Sequence, residues 1–164
     1  ASMILVRVSC DRRTMVYANA GHELGYLRNT DGEIQELNST GTVLGIANDA
    51  EYENIEHQLH QGDLIALLSD GVSETFNSEK AMLGRGRISS IIQSPIGIGS
   101  DAVADEIVTR AVEHRGETQV MDDITVLVIS VVHQDHIDEA GVESSGFENK
   151  PNNPLIDISM TSSS

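Results

Sequence analysis

Two stretches of the sequence decide the fold: Gly62-Asp-Leu-Ile-Ala-Leu-Leu-Ser-Asp-Gly71 and Met121-Asp-Asp-Ile-Thr-Val-Leu-Val-Ile-Ser-Val-Val132. The first contains a continuous apolar run over residues 64–68, which is typical of a strand buried on both faces. The second contains a long β-branched and apolar run over residues 124–132, which predicts another core strand. Acidic residues follow the first run directly and precede the second. The two stretches therefore predict core strands with carboxylates at one end of each.

The other predicted elements are mostly antiparallel strands, followed by helices. We expect hairpins over 2–19 and 24–37, and the second turn contains Asp31-Gly32, a favourable turn pair. A further strand is predicted over 52–59, and helices over 87–93 and 101–114. The longer helix has Val103, Ile107, Ala111 and His114 on one stripe, with Ser100 or Asp101 as its N-cap. This order indicates an α+β layered fold.

Length and patterning predict one domain followed by a tail. A chain of 164 residues with 39% apolar content is sufficient for one substantial core. Apolar patterning stops at Val132, and residues 133–164 are rich in Ser, Asn, Asp and Glu. We therefore expect a domain over 1–132 and a disordered tail over 133–164, whose removal should leave thermal stability nearly unchanged. The lone cysteine, Cys10, lies in an apolar run and is interpreted as a small core residue.

Charge and hydropathy exclude several partners. The formal net charge is −16, with 26 acidic against 10 basic residues, so a nucleic-acid partner is excluded. No targeting segment opens the sequence, and no apolar run approaches the roughly 20 residues that span a bilayer. We therefore expect a cytoplasmic protein without membrane contact. The sequence opens at Ala1 and passes directly into a predicted strand, which indicates a fragment of a longer protein.

The acidic strand ends predict a metal site. If the two core strands are antiparallel neighbours, Asp70 lies beside Asp122 and Asp123, and we expect the Asp70 and Asp122 carboxylates within about 6 Å of each other. Oxygen ligands of this kind suit Mg²⁺ or Mn²⁺. Two such ions roughly 3.5–4 Å apart can activate a water and hold a phosphoryl group. On spacing alone, the alternative that these aspartates are ordinary turn and capping residues stays open and is the more common case.

Four segments resemble, in order and spacing, those of PPM-type serine/threonine phosphatases of the SpoIIE/RsbU-like bacterial branch. They are Tyr17-Ala-Asn-Ala-Gly-His22, Gly41-Thr-Val-Leu-Gly-Ile46, Gly62-Asp-Leu-Ile-Ala-Leu-Leu-Ser-Asp-Gly-Val-Ser-Glu74 and Met121-Asp-Asp-Ile-Thr125. Each segment alone is a weak signal, but four in order form a strong one. The resemblance covers residues 1–132 and implies the C-terminal part of an α-β-β-α sandwich of two antiparallel sheets.

The resemblance also implies an activity and a site. It implies hydrolysis of phosphoserine or phosphothreonine in a regulatory protein, usually an anti-sigma-factor antagonist with a STAS-like fold. It places Asp70 and Asp122 as ligands of a binuclear Mn²⁺ or Mg²⁺ centre, with Asp123 as a second ligand or as a residue that orients the first. The metal-activated water makes a protein nucleophile unnecessary, so no further catalytic residue is expected. An upstream sensor or receiver domain is common in this branch.

Departures from the family pattern leave a second interpretation open. The upstream Gly-Asp-x-x-Asp motif, which supplies the metal-bridging aspartate, is absent, so the alternative is a non-catalytic phosphatase fold that acts as an interaction module. Glu23-Leu24 stands where the family more often has Asn-Pro, and Ser69 replaces the commoner Thr. His22 could face the metal pocket or be a turn residue bonded to backbone, and the two options are equal. Glu74 is expected to have a structural role as a cap or in a salt bridge.

Overall fold

The structure is a computed structural model that describes residues 1–9, 11, 13–94, 99–132 and 155–163. The predictions for Cys10 and for the tail over 133–154 lie outside the described residues. The described elements are, in order, β1 Met3–Val8, β2 Thr14–Ala20, β3 Gly25–Arg28, β4 Ile34–Leu37, β5 Ile55–Gln58, β6 Leu64–Leu68, α1 Asp70–Ser73, α2 Arg85–Gln93, α3 Ser100–Arg115, β7 Ile124–Val132 and β8 Leu155–Ser163. Among these residues, no helix is both long and apolar enough to span a membrane.

The strands form two antiparallel sheets. One has three strands in the order β1-β2-β5, and the other has five in the order β4-β3-β6-β7-β8. The two predicted hairpins are confirmed as the pairs β1–β2 and β3–β4. The predicted core strands are also confirmed as antiparallel neighbours, with Leu68 opposite Val126. The α+β prediction is therefore confirmed.

The central strands of the five-stranded sheet are buried on both faces. On one face Ile65 and Val131 pack with Met15 and Leu37 in a core between the two sheets. On the other face Ala66 and its neighbours pack against the helices in a second core. The continuous apolar run of β6 arises from this double burial, since successive side chains of a strand point to opposite faces. Each fully buried aliphatic side chain contributes about 1.5–3 kcal/mol.

The helices follow the sequence pattern with small differences. In α3, Val103, Ile107 and Ala111 are buried as the stripe predicts, whereas His114 is only partly buried. The N-cap of α3 is Gly99, one residue before the expected cap, and α2 begins at Arg85, two residues earlier than predicted. The short helix α1 was not predicted, because four residues are too few to show a helical period.

The prediction of a disordered tail over 133–164 is wrong for residues 155–163, which form β8. This strand pairs along the whole length of β7, from Leu155 opposite Val132 to Ser163 opposite Ile124. The pairing satisfies backbone groups of β7 that would otherwise form an open edge. Asp157 also accepts hydrogen bonds from the backbone NH (3.2 Å) and the hydroxyl (2.6 Å) of Ser100 at the start of α3. Asp157, one of the acidic residues of this segment, therefore has a structural contact at a helix terminus.

Candidate metal centre

Ser69 joins the end of β6 to the start of β7. Its backbone NH donates to the carbonyl of Thr125 (3.0 Å), and its hydroxyl donates to the carbonyl of Asp123 (2.9 Å). The same hydroxyl accepts a hydrogen bond from the backbone NH of Thr125 (2.9 Å). Ser69 therefore fixes the chain just before Asp70 against the chain at Asp123.

Gly71 permits a close approach between α1 and the acidic pair that precedes β7. A Cβ added at Gly71 would lie 3.0 Å from the carbonyl carbon of Asp123 and 3.4 Å from that of Asp122. Backbone atoms at this distance cannot move aside as a flexible side chain could. Glycine is therefore required here for space, and the Asp70-Gly71 pair is what brings the two acidic segments into contact.

The three predicted ligands lie at this junction and are exposed to solvent. The carboxylate of Asp70 accepts a hydrogen bond from the backbone NH of Gly71 (3.0 Å), and that of Asp122 from the NH of Asp123 (2.8 Å). These hydrogen bonds between neighbouring residues are the contacts expected if the aspartates have only turn and capping roles. Each bond occupies one carboxylate oxygen and leaves the other available. Exposed carboxylate oxygens on adjoining segments fit part of a site for a hard divalent cation.

The ligand set is incomplete in the described part of the chain. No three His, Cys, Asp or Glu side chains there are grouped closely enough to hold a metal ion. The structure thus confirms that the two acidic strand ends adjoin, whereas the expected carboxylate separation and the ligand roles of Asp70, Asp122 and Asp123 stay predictions.

Residues 17–22 and residues 41–46, two of the family-like segments, lie against each other. Ala20 and Gly41 form an isolated parallel bridge, and a Cβ at Gly21, whose φ is 66°, would collide with the side chain of Val43. The buried Asn19 side chain holds the following turn by accepting from the NH of His22 (2.8 Å). These glycines allow residues 17–22 and 41–46 to pack as one unit.

The structure favours the turn role for His22. Besides its backbone bond to Asn19, its ring Nδ1 lies 3.3 Å from the hydroxyl of Ser2. The sequence left this residue undecided because the partner, Ser2, lies 20 residues earlier, just before β1.

Glu23 connects the same turn to α1 and α2. Its carboxylate binds Arg85 Nε at 2.8 Å and accepts a hydrogen bond from the Ser73 hydroxyl at 3.1 Å. Burial raises the pKa of Glu23, but hydrogen bonds from Arg85, Leu24 and Ser73 outweigh that effect and hold the pKa below its ordinary value. Sequence reasoning missed this role, because it noted Glu23 only as a departure from the family pattern and Arg85 lies 62 residues further along.

Glu74 closes the short helix. It is the C-cap residue of α1, and its backbone NH donates to the carbonyl of Asp70 (2.8 Å). The predicted role of the Glu74 side chain, in a cap of the following turn or in a salt bridge, stays a prediction. The Glu74 side chain is exposed and lines a cleft beside the acidic junction.

That cleft has a volume of about 220 Å³. Its lining includes Gly71, Glu74, Phe76, Arg115, Met121 and Asp122. A cavity of about 400 Å³ lies between α2 and α3, but none of the three aspartates lines it. The smaller cleft is therefore the one that adjoins the candidate metal site.

Comparison with known proteins defines the class of protein. The family described as Stage II sporulation protein E (SpoIIE) matches residues 1–132, and the chain belongs to that family. Among individual relatives, it is 30% identical over 129 residues to phosphoserine phosphatase RsbU of Bacillus subtilis, covering 78% of this chain and 38% of that protein. It is 22% identical over 129 residues to protein IcfG of Synechocystis, covering 79% of this chain and 20% of that protein.

Solved structures confirm the predicted fold class. The phosphatase domain of SpoIIE from Bacillus subtilis (Mn presoaked) aligns with a TM-score of 0.64 at 18% identity, covering 82% of this chain and 58% of that one. The SiaA-PP2C domain of Pseudomonas aeruginosa aligns with a TM-score of 0.61 at 26% identity, covering 77% and 50%. The chain thus spans less than two thirds of each of these relatives.

Proposed function

We propose that this chain is part of a metal-dependent phosphatase that hydrolyses phosphoserine or phosphothreonine in a protein. The observation that carries the proposal is the junction of β6 and β7, where Ser69 and Gly71 hold Asp70 against Asp122 and Asp123. A fold that served only as a scaffold gains nothing from carboxylates placed where they repel one another. Membership of a family that includes a phosphoserine phosphatase supports the same chemistry.

In this proposal Asp70, Asp122 and Asp123 hold Mn²⁺ or Mg²⁺, and the complete domain holds two ions. When bound, such a pair supplies a hydroxide at neutral pH and neutralises charge that develops on the phosphoryl oxygens. The other residues of this chain contribute by holding the metal ligands in position. Ser69 and Gly71 fix the spacing of the carboxylates, and the Glu23–Arg85 ion pair anchors the adjacent turn to α1 and α2.

The substrate in this proposal is a phosphorylated regulatory protein, an anti-sigma-factor antagonist with a STAS-like fold. The proposal rests on the family resemblance and on the name of RsbU, a phosphoserine phosphatase. It also places the protein in the cytoplasm, under the control of an upstream sensor or receiver domain.

The test uses a longer protein that carries the complete domain, with a phosphoserine peptide and millimolar Mn²⁺. We expect Mn²⁺-dependent release of phosphate, and we expect Asp70→Asn to reduce the rate at least about 100-fold, since the amide keeps the shape but loses the charge. Asp31→Asn, the same change in an exposed turn, serves as the control and should leave the rate unchanged. Strong turnover that survives Asp70→Asn would refute the site, and peptide binding without turnover would favour the interaction module.

The 164-residue chain alone should show little or no activity in the same assay. The described residues contain no closed set of three metal-binding side chains, and activation of water between two ions needs a bridging carboxylate. Phosphate release by the isolated chain at the rate of the longer protein would contradict this expectation.

A further inference from the structure

The cleft beside Asp122 is continuous with the candidate metal site. One wall consists of α1 and the residues that follow it, including Glu74 and Phe76, and the other is the connection between α3 and β7. Asp122 and Gly71 belong to both the cleft and the acidic junction. A segment that carries a phosphate to the aspartates can therefore lie along this cleft.

Arg115 is the basic side chain in the lining of this cleft. It lies in the last turn of α3, where a positive charge favours the helix terminus. Two other arginines of the described chain form ion pairs, Arg85 with Glu23 and Arg110 with Glu106. Within the described residues, Arg115 forms no ion pair within 4.0 Å, unlike these two. Its guanidinium is therefore available to a ligand in the cleft.

The charges around Arg115 restrict where an anion can approach. Glu74 and Asp122 share the cleft with it. Glu79, Glu113 and Glu117 line an adjoining cavity on which Arg115 also borders. Among the described residues of this cleft, only the Arg115 guanidinium can therefore pair with a negative side chain of a ligand.

The rim of the cleft is apolar. Met121 is 77% exposed and Val120 is 38% exposed, although both are hydrophobic. Phe76 lines the opposite wall. Exposed apolar side chains around a polar pocket are typical of an interaction site, and methionine adapts its shape to varied partners.

We propose that this cleft binds the protein segment that carries the phosphoserine. An apolar side chain of that segment packs against Phe76, Val120 and Met121, and an acidic side chain pairs with Arg115. This proposal deepens the proposed function and rests on it. It makes Arg115 a specificity-determining residue that acts on the flanking sequence of the substrate and not on the phosphate itself.

The test compares two substrates in the longer protein that carries the complete domain. One is a phosphoserine peptide with an acidic residue beside the phosphoserine, and the other is p-nitrophenyl phosphate, which lacks flanking residues. For Arg115→Glu we expect KM for the peptide to rise roughly tenfold or more, with kcat within about twofold. Hydrolysis of p-nitrophenyl phosphate should be unchanged, and replacing the acidic residue of the peptide by lysine should restore much of the affinity. Met121→Ser should raise KM for the peptide alone.

Arg7→Glu is the matched control, since it makes the same charge change at an exposed position on β1 and should alter neither substrate. Equal loss on both substrates, or no effect on either, would overturn the role of Arg115, and the first result would indicate contact with the phosphate or a folding defect. If the unmodified protein hydrolyses neither substrate, the proposed function fails. Fluorescence anisotropy of the labelled phosphopeptide then tests the cleft by itself. Binding that Arg115→Glu fails to weaken overturns the proposal.

Discussion

At the scale of single residues, two small side chains determine whether the acidic segments can meet. Ser69 bonds to the backbone of both Asp123 and Thr125, and Gly71 leaves room for the carbonyl of Asp123. Neither residue carries charge, so their contribution is to geometry. These neutral contacts hold the backbone before Asp70 against the backbone at Asp123.

Gly71→Ala should destabilise the protein by roughly 1–3 kcal/mol, because the added methyl group collides with backbone that is held by the β6–β7 pairing. Gly86→Ala is the control. A Cβ at Gly86 has no neighbour within 4 Å, and alanine in α2 should be neutral or stabilising by about 0.5–1 kcal/mol. Urea unfolding of the two variants measures the difference. Equal stability of both would contradict the close approach at Gly71.

Glu23→Gln should cost stability in a pH-dependent manner. The folded-state pKa of Glu23 lies below its ordinary value of 4.5, so the folded state favours the charged form. The stabilisation by the charged Glu23 carboxylate is therefore complete at pH values above its ordinary pKa. It is lost as the pH falls through the folded-state pKa. We expect a loss of roughly 1–2 kcal/mol at pH 7 that shrinks below pH about 4. Urea unfolding across this range tests it, and a loss that is constant with pH would show that the charge of Glu23 is irrelevant.

At the scale of elements, β8 extends the fold beyond the family-matched residues 1–132. It covers the edge of β7, and its Asp157 satisfies the first turn of α3, whose own N-cap residue provides no side-chain hydrogen bond. Ile158 and Met160 of the same strand are 61% and 69% exposed. Ile158 and Met160 therefore add little apolar burial, whereas the backbone pairing with β7 and the polar contact with α3 stabilise the strand.

Deletion of residues 155–164 should lower the melting temperature by several degrees, in contrast to the expectation from composition alone. It removes nine backbone-paired positions and the hydrogen bonds to Ser100. About 1 kcal/mol corresponds to roughly 2–4 °C for a chain of this size. Asp157→Ala, which removes the Ser100 contact alone, should produce a smaller decrease of about 1 kcal/mol. Calorimetric melting curves measure both, and an unchanged melting temperature on deletion would show that β8 does not contribute.

At the scale of the whole molecule, the sequence predicts those features that depend on local pattern. The strands β6 and β7 have the predicted bounds. Each is an apolar run that begins directly after an aspartate, and such a run fits few structures other than a buried strand. The sequence leaves their antiparallel pairing as a condition, and the structure meets it, so that the chain at Asp70 adjoins the chain at Asp122 and Asp123. The four family-like segments strengthen the same interpretation.

Features that depend on contacts between distant parts of the chain escape such reasoning. The Glu23–Arg85 pair, the His22–Ser2 contact and the Arg115 cleft each join residues that no periodic pattern connects. The strand β8 is missed for the same reason, since its pairing is supplied by β7 rather than by its own composition. Local sequence pattern therefore predicts the two strands that carry the site, whereas tertiary packing determines which other residues lie around it.

The central claim is that Asp70, Asp122 and Asp123 together bind a divalent cation. Titration of the longer protein that carries the complete domain with MnCl₂ by isothermal calorimetry tests it without reference to catalysis. We predict binding of Mn²⁺ that Asp70→Asn and Asp122→Asn each weaken at least about tenfold, whereas Asp31→Asn leaves it unchanged. Absence of Mn²⁺ binding, or equal affinity in the unmodified chain and the Asp70→Asn variant, would contradict the account.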